Sequence, residues 1–485
     1  MNTQIRRTTA LVIVMFLALA GALTYVQFAK AGELRADPRN SRTYYDSFDR
    51  DRGPIVVAGG DIIVSSKPVD DDYSYQRLYA DGPLYAPVTG YFTVVGPPSG
   101  IEATENDVLV GTSDSLFWTR VQDLFTGKQP RGGAVELTIE PKLQQAAWDA
   151  LGDQRGAVVA FDAKTGEILA MVSKPTFDPN DLAVHNQQQV NQVYQTLEAD
   201  PSRPLYNRAI GGDLYAPGST FKLITAAAAL ESGRYQPDSQ LDAPTALDLP
   251  GTSHKLTNFG DSSCASSGKM TLAAAMTVSC NTAFGKLGMD LGENAIARQA
   301  QAFGFGRALE LPLAVTPSVF PAEMDKAQLA MAAIGQYNDK ATPLQMAMVV
   351  AAIANGGSLM TPHLVRSTRD ADLQVISTTP TSKLSQPISR ATANQLKDMM
   401  ISVVDDGTAT RAQIDQVTVG AKTGTAQKDG GQAPDVWTVG FGEAAGRLLV
   451  VAVVVEDGGT VGQSASGGTV AAPIMRQVIE AGLVP

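Results

Sequence analysis

Ser219 and Lys222 stand three residues apart in Pro217-Gly218-Ser219-Thr220-Phe221-Lys222, just ahead of the Ala-rich run Leu223 to Leu230. Pro and Gly make a turn, and the residues that follow have strong helix propensity. Ser219 is therefore expected at a helix start, with Lys222 one turn along on the same face. Free backbone N–H groups at a helix start favour developing negative charge. A serine hydroxyl is a poor nucleophile until a base takes its proton. A neutral lysine can take it, but lysine's ordinary pKa is about 10.4, so it needs burial or a nearby cation. The competing reading is plain: a serine at a helix start is commonly only an N-cap.

Two further clusters carry matching chemistry. Ser279-Cys280-Asn281 follows the apolar helical stretch Leu272 to Met276 and offers a hydroxyl and an amide. These suit proton relay and the holding of a substrate amide. Lys422-Thr423-Gly424-Thr425 lies in a strand pattern, Val417 to Ala426. A lysine and hydroxyls on a strand edge can hold a carboxylate, and Gly424 allows a substrate backbone to pair as an added strand. Lys422 is also the cation expected to lower the pKa of Lys222. Each cluster alone has a structural reading, a helix end or a solvent-facing strand end. Second copies of two patterns exist. Ser266-Ser267-Gly268-Lys269 sits in a polar stretch and reads as chance. Lys164-Thr165-Gly166 sits in a hairpin turn, where Gly has an ordinary turn role.

The elements that must position these residues are legible in outline. Residues 32–130 are turn-rich, with short apolar runs such as Ile62-Ile63-Val64 and Tyr91-Phe92-Thr93-Val94-Val95 expected as strands. They read as a small, mostly β, non-catalytic unit. The pattern changes at Arg131-Gly132-Gly133. A strand from Val135 leads through Pro141 into an amphipathic helix. A hairpin then pairs Ala157 to Phe161 with Ile168 to Val172. Helical patterns fill the middle, including Met346 to Ala354. Strands return at Val417 to Ala426, Val436 to Phe441 and Leu448 to Val455, and a helix from Ala471 to Ala481 closes the pattern. Strands at both ends with helices between predict one α+β domain over 131–485, an antiparallel sheet covered by helices.

Arg6 and Arg7 precede an apolar run from Ala10 to Phe28, long enough to span a bilayer. The arginines favour the cytoplasmic side. Residues 1–9 are then a cytoplasmic tail, residues 10–28 a transmembrane anchor, and the rest of the chain lies outside the cell membrane. The alternative is a signal peptide cut at Ala29-Lys30-Ala31. The anchor is preferred because the run exceeds a usual signal core and Lys30 sits inside the site. Cys264 and Cys280 are the only cysteines of the 485 residues. Outside the cytoplasm such a pair favours a disulfide, which would contribute about 3 kcal/mol on the chain-entropy model. Two buried free thiols are the other reading. The net charge of −11 argues against a nucleic-acid binder. With three histidines and no G-x-S-x-G around Ser219, a Ser-His-Asp hydrolase is disfavoured. Ala421 stands where a P-loop requires Gly. No H-E-x-x-H or C-x-x-C occurs, and no metal or cofactor is implied.

Taken in order, Ser219-x-x-Lys222, Ser279-x-Asn281 and Lys422-Thr-Gly424 resemble the three motifs of penicillin-binding proteins and serine β-lactamases. The long gap before Lys422 looks like the transpeptidases. Arg52-Gly53-Pro54-Ile55 and the Gly100-Ile101-Glu102 element resemble the N-terminal module of class B penicillin-binding proteins. Asp162-x-x-Thr165-Gly166, Thr342-Pro343-Leu344-Gln345 and Ala471-Ala472-Pro473 resemble landmarks of their transpeptidase domain. The likeness runs through nearly everything after the anchor and looks closest to actinobacterial members. Two departures stand out: Tyr337 in Gly335-Gln336-Tyr337, where many relatives have Gly, and Cys280 inside the second motif. The resemblance implies a cell-wall transpeptidase with Ser219 as nucleophile and Lys222 as base. Ser279 would return the proton, and the N–H groups of Ser219 and Thr425 would form the oxyanion hole. Lys422, Thr423 and Thr425 would hold the terminal carboxylate. Peptidoglycan stem peptides and β-lactams are the implied ligands, and division proteins such as a lipid II glycosyltransferase the implied partners. A D,D-carboxypeptidase and a non-catalytic division scaffold are the rivals.

Overall fold

The structure is a computed structural model that describes residues 2–30, 47–113, 116, 131–212 and 214–484. Helix α1 (Asn2–Thr24) runs on through a wider turn, Tyr25–Ala29. Its stretch Thr3–Phe28 is exposed, apolar and long enough by length and composition to cross a membrane. Of the alternative cleavage site, Ala31 lies outside the described residues.

The first sheet has six strands: β1 (Ile55–Val56), β2 (Ile62–Pro68), β3 (Tyr75–Tyr79), β4 (Ala134–Leu137), β7 (Val365–Arg369) and β8 (Val375–Thr378). Between β4 and β7 in the chain lie β5 (Gly156–Asp162) and β6 (Ile168–Lys174), which belong to the second sheet. The order is β8-β7-β4-β1-β2-β3, with β1 and β4 parallel and the other pairs antiparallel. This sheet thus joins strands from both sides of residues 130/131. Three short helices, Gly82–Thr89, Gly100–Thr104 and Asn106–Leu109, accompany it. Tyr91 to Val95, expected as a strand, is not one. Several of its polar backbone groups are met by side chains and by the following loop instead of a neighbouring strand. Tyr79's hydroxyl accepts from the Phe92 N–H, Thr93 Oγ1 from the Val95 N–H, and the Tyr91 carbonyl from the Ser99 N–H.

The two N-terminal sequence landmarks meet in a buried ion cluster. Arg52 Nε and Arg77 Nε each lie 2.6 Å from an oxygen of Glu102, and all three side chains are buried. Tyr79 donates its hydroxyl to the same carboxylate at 3.2 Å. Burial alone would raise the Glu102 pKa, but the two guanidiniums outweigh it and hold it below the usual carboxylate range. Removing one partner of such a cluster leaves uncompensated buried charge. Glu102→Ala is therefore expected to destabilise the fold by about 3–5 kcal/mol, read as a lower denaturation midpoint. A midpoint unchanged from wild type would show that the cluster does not secure this region.

The second sheet holds the site. It adds β9 (Thr418–Ala426), β10 (Asp435–Ala444) and β11 (Arg447–Val455), all antiparallel in the order β9-β10-β11-β5-β6. Leu448 to Val455 is buried without a break, as befits a central strand covered on both faces. Helices α2 (Pro141–Leu151) and α8 (Ala472–Leu483) pack against each other and on this sheet. Helix α6 (Pro343–Ala354) also packs on the sheet and is buried over its whole length, which explains its apolar, non-amphipathic sequence. Between α2 and α6 come α3 (Lys222–Glu231), α4 (Leu272–Thr277) and α5 (Asn281–Leu291), and after α6 comes α7 (Arg390–Asp405). The α+β architecture is the expected one.

Candidate active site

Ser219 lies in a tight turn, Gly218–Phe221, that runs directly into α3. Its hydroxyl makes no hydrogen bond to any described residue, so it is not serving as a cap. Lys222 opens α3 and is fully buried. The second motif is a sharp link between helices. α4 is capped by Thr271, Ser279 follows it in the left-handed region (φ 59°), and Asn281 begins α5. That conformation is unfavourable for a side chain bearing a Cβ. Here it turns Ser279 towards both lysines. Lys222 Nζ donates to the Ser279 carbonyl (2.7 Å) and to Asn281 Oδ1 (2.7 Å), and lies 3.2 Å from Ser279 Oγ. Lys422 Nζ donates to Ser279 Oγ (2.8 Å) and to the Thr423 carbonyl (3.0 Å).

No carboxylate is among these partners, so no negative charge offsets the burial of either lysine. Burial lowers Lys422 to about 7. Burial, and then the positive charge of Lys422, pushes Lys222 well below the ordinary lysine range. Lys222 carries both penalties and Lys422 only the first, so Lys222 gives up its proton first. Neutral Lys222 then donates two protons, to Ser279 O and Asn281 Oδ1, and keeps a lone pair.

Strand β9 is the edge of its sheet. Thr423 Oγ1 shares a 2.6 Å hydrogen bond with Thr408 Oγ1. A Cβ on Gly424 would lie 3.0 Å from both Pro217 O and Thr220 Cγ2. Its bare backbone therefore lets β9 press against the Ser219 turn. A cleft of about 1050 Å³ opens here, lined by Ser219, Ser279, Asn281, Thr423, Gly424 and Thr425. The two lysines stand behind that wall. Motifs far apart in sequence thus share one site.

Residues 156–480 match the family described as penicillin binding protein transpeptidase domain. The chain belongs to the penicillin-binding transpeptidases. Residues 52–135 match the penicillin binding protein A dimerisation domain. The chain is 42% identical to the peptidoglycan D,D-transpeptidase PbpA of Mycolicibacterium smegmatis, covering 100% of this chain and 99% of the relative. It is 40% identical to the protein of that name from Mycobacterium tuberculosis, with the same coverage. The solved ceftriaxone acyl-enzyme complex of penicillin-binding protein A from M. tuberculosis superposes with a TM-score of 0.86 at 40% identity, over 90% of this chain and 99% of that one. Its penicillin G acyl-enzyme complex superposes with a TM-score of 0.84 at 40% identity, over 89% and 99%.

Within this transpeptidase, the second copies of the motifs are structural. Asp162 Oδ1 accepts the N–H groups of Lys164 and Thr165 in the β5–β6 turn, and Gly166 has φ 87°. Lys269 of the other copy points to solvent beside Asp242. Cys264 and Cys280 are bridged, with Cα atoms 5.9 Å apart. The bridge ties the cleft-lining loop before Cys264 to the second motif. Thr408 and Gln336 also line the cleft and carried no motif signal. Gln336 was visible only as part of the departure at Gly335-Gln336-Tyr337.

Proposed function

We propose that this chain is a membrane-anchored peptidoglycan D,D-transpeptidase that works through an acyl-enzyme on Ser219. The observation that carries the reading is the pair of buried lysines flanking Ser279 behind a cleft that exposes Ser219. Neutral Lys222 takes the Ser219 proton as Oγ attacks the carbonyl between the two D-alanines of a stem peptide. The N–H groups of Ser219 and Thr425 receive the oxyanion, a contribution of about 3 kcal/mol per donor in such sites. Ser279, bonded to Lys422 and near Lys222, passes the proton to the departing D-alanine nitrogen as the C–N bond breaks. An amine of a neighbouring strand then displaces Ser219 and forms the crosslink. Thr423 and Thr425 hold the terminal carboxylate with the charge of Lys422 behind them, and Asn281 orients Lys222. β-Lactams acylate Ser219 as mimics of the donor.

Residues 10–28 anchor the chain in the cell membrane, with residues 1–9 in the cytoplasm, in keeping with Arg6 and Arg7 on that flank. Residues 32–130 form a non-catalytic module and 131–485 the transpeptidase domain. Cell-wall synthesis proteins of the division machinery, such as a lipid II glycosyltransferase, are the partners proposed for it. The test supplies a donor peptide ending in D-Ala-D-Ala with and without an acceptor amine. D-Alanine release accompanied by a new amide product is expected. Release with no amide product at saturating acceptor would make the enzyme a carboxypeptidase instead.

A further inference from the structure

The loop from Gly335 to Asp339 has no part in the reaction as described, yet it touches both halves of the site. Gly335 accepts the Gly218 N–H at 3.0 Å through its carbonyl. It has φ 73°, and a Cβ there would lie 2.2 Å from Gly218 O. Only glycine allows that approach. The next residue, Gln336, donates its side-chain amide to the Thr425 carbonyl at 2.7 Å. A carbonyl accepts only, so the amide nitrogen must face it. Gly218 (φ 51°) completes the triangle, since a Cβ on it would lie 3.0 Å from Thr425 O. Thus one dipeptide, Gly335-Gln336, binds the backbone just before Ser219 and the backbone at Thr425. Those segments carry the two N–H groups assigned to the oxyanion. The loop is held from within by Asp339, which is fully buried and accepts the Tyr337 N–H at 3.3 Å. Burial raises the Asp339 pKa well above the usual carboxylate range.

We propose that Gln336 is a positioning residue that holds the Thr425 peptide against the Gly218-Ser219 turn and so keeps the two oxyanion donors convergent. This rests on the acyl-enzyme reading above. It acts on the transition state more than on ligand capture, because the oxyanion exists only during acyl transfer.

The experiment uses the full chain in detergent and a fluorescent penicillin, separating the dissociation constant from the first-order acylation rate. Covalent labelling of wild type tests the acyl-enzyme reading itself. Given that labelling, Gln336→Met, which keeps length but has no donor, should slow acylation about tenfold with the dissociation constant little changed. Acylation at the wild-type rate, or a loss confined to the dissociation constant, would overturn the proposal. Gln336→Glu supplies a second readout. Its carboxylate cannot donate to Thr425 O, but its protonated form can. The ratio of its acylation rate to that of wild type should therefore rise as pH falls through the carboxyl's pKa. Lys222, Lys422 and Asp339 titrate in both proteins, so the ratio to wild type, and not the rate itself, is the quantity read. A ratio flat with pH would also overturn the proposal.

Discussion

Ser219→Ala is expected to abolish the penicillin adduct that survives denaturation on wild type. The fold should be kept, because Ser219 Oγ makes no hydrogen bond among the described residues and is only half-buried. A surface-type substitution without such bonds usually changes stability by less than about 0.5 kcal/mol. Crosslinking should fall with the adduct, because the acyl group has no other residence on the enzyme. Losing a nucleophile that works with its base as a unit lowers turnover by roughly 10⁶-fold in the best-studied serine enzyme. Gel fluorescence after denaturation, together with peptide mapping, checks the result. An adduct retained in the mutant would place the nucleophile elsewhere and sink the assignment.

Acylation should next depend steeply on Lys222 and on pH. A positioned general base contributes about 10²–10⁴-fold, so Lys222→Met should slow acylation by that order while penicillin still binds reversibly. The direction with pH follows from the two lysines. Lys222 must be neutral to accept the proton, so acylation rises as pH climbs through its lowered pKa. Lys422 must be charged to hold a carboxylate, and in the free enzyme it loses its proton around pH 7. The acylation rate constant divided by the dissociation constant should therefore trace a bell, with its falling limb starting near neutrality. Because both amines contact Ser279 Oγ, the two limbs belong to the pair. Stopped-flow acylation across pH checks this. A rising limb only near pH 10, the ordinary lysine value, would mean that Lys222 is not the base.

The order of the elements was readable from pattern. Apolar runs ending in turn residues marked β5, β6, β10 and β11, and Ala-rich runs marked α3 and α6, because local hydrophobic period reflects which faces are buried. Tyr91 to Val95 misled for the same reason. It is apolar and buries Phe92 and Val94, but burial by itself does not supply a partner strand. The sharing of one sheet by β1, β4 and β7 was not legible, since nothing local records which strand a strand will pair with.

For the site, the sequence by itself determined the candidate groups and their order: Ser219, Lys222, Ser279, Asn281 and Lys422, together with two cysteines able to pair. It also determined the apolar N-terminal run. Only the tertiary structure decided what those groups are. Lys222 became a candidate base through complete burial and through Lys422, a neighbour distant in the chain. Ser279 became the link between them through a left-handed backbone that no residue pattern announces. Thr408 and Gln336 entered the site because side chains and backbone from separate segments converge on β9. Residue type sets which protons a group can hold. Desolvation and long-range contacts set which it does hold, and these exist only once the chain has closed on itself.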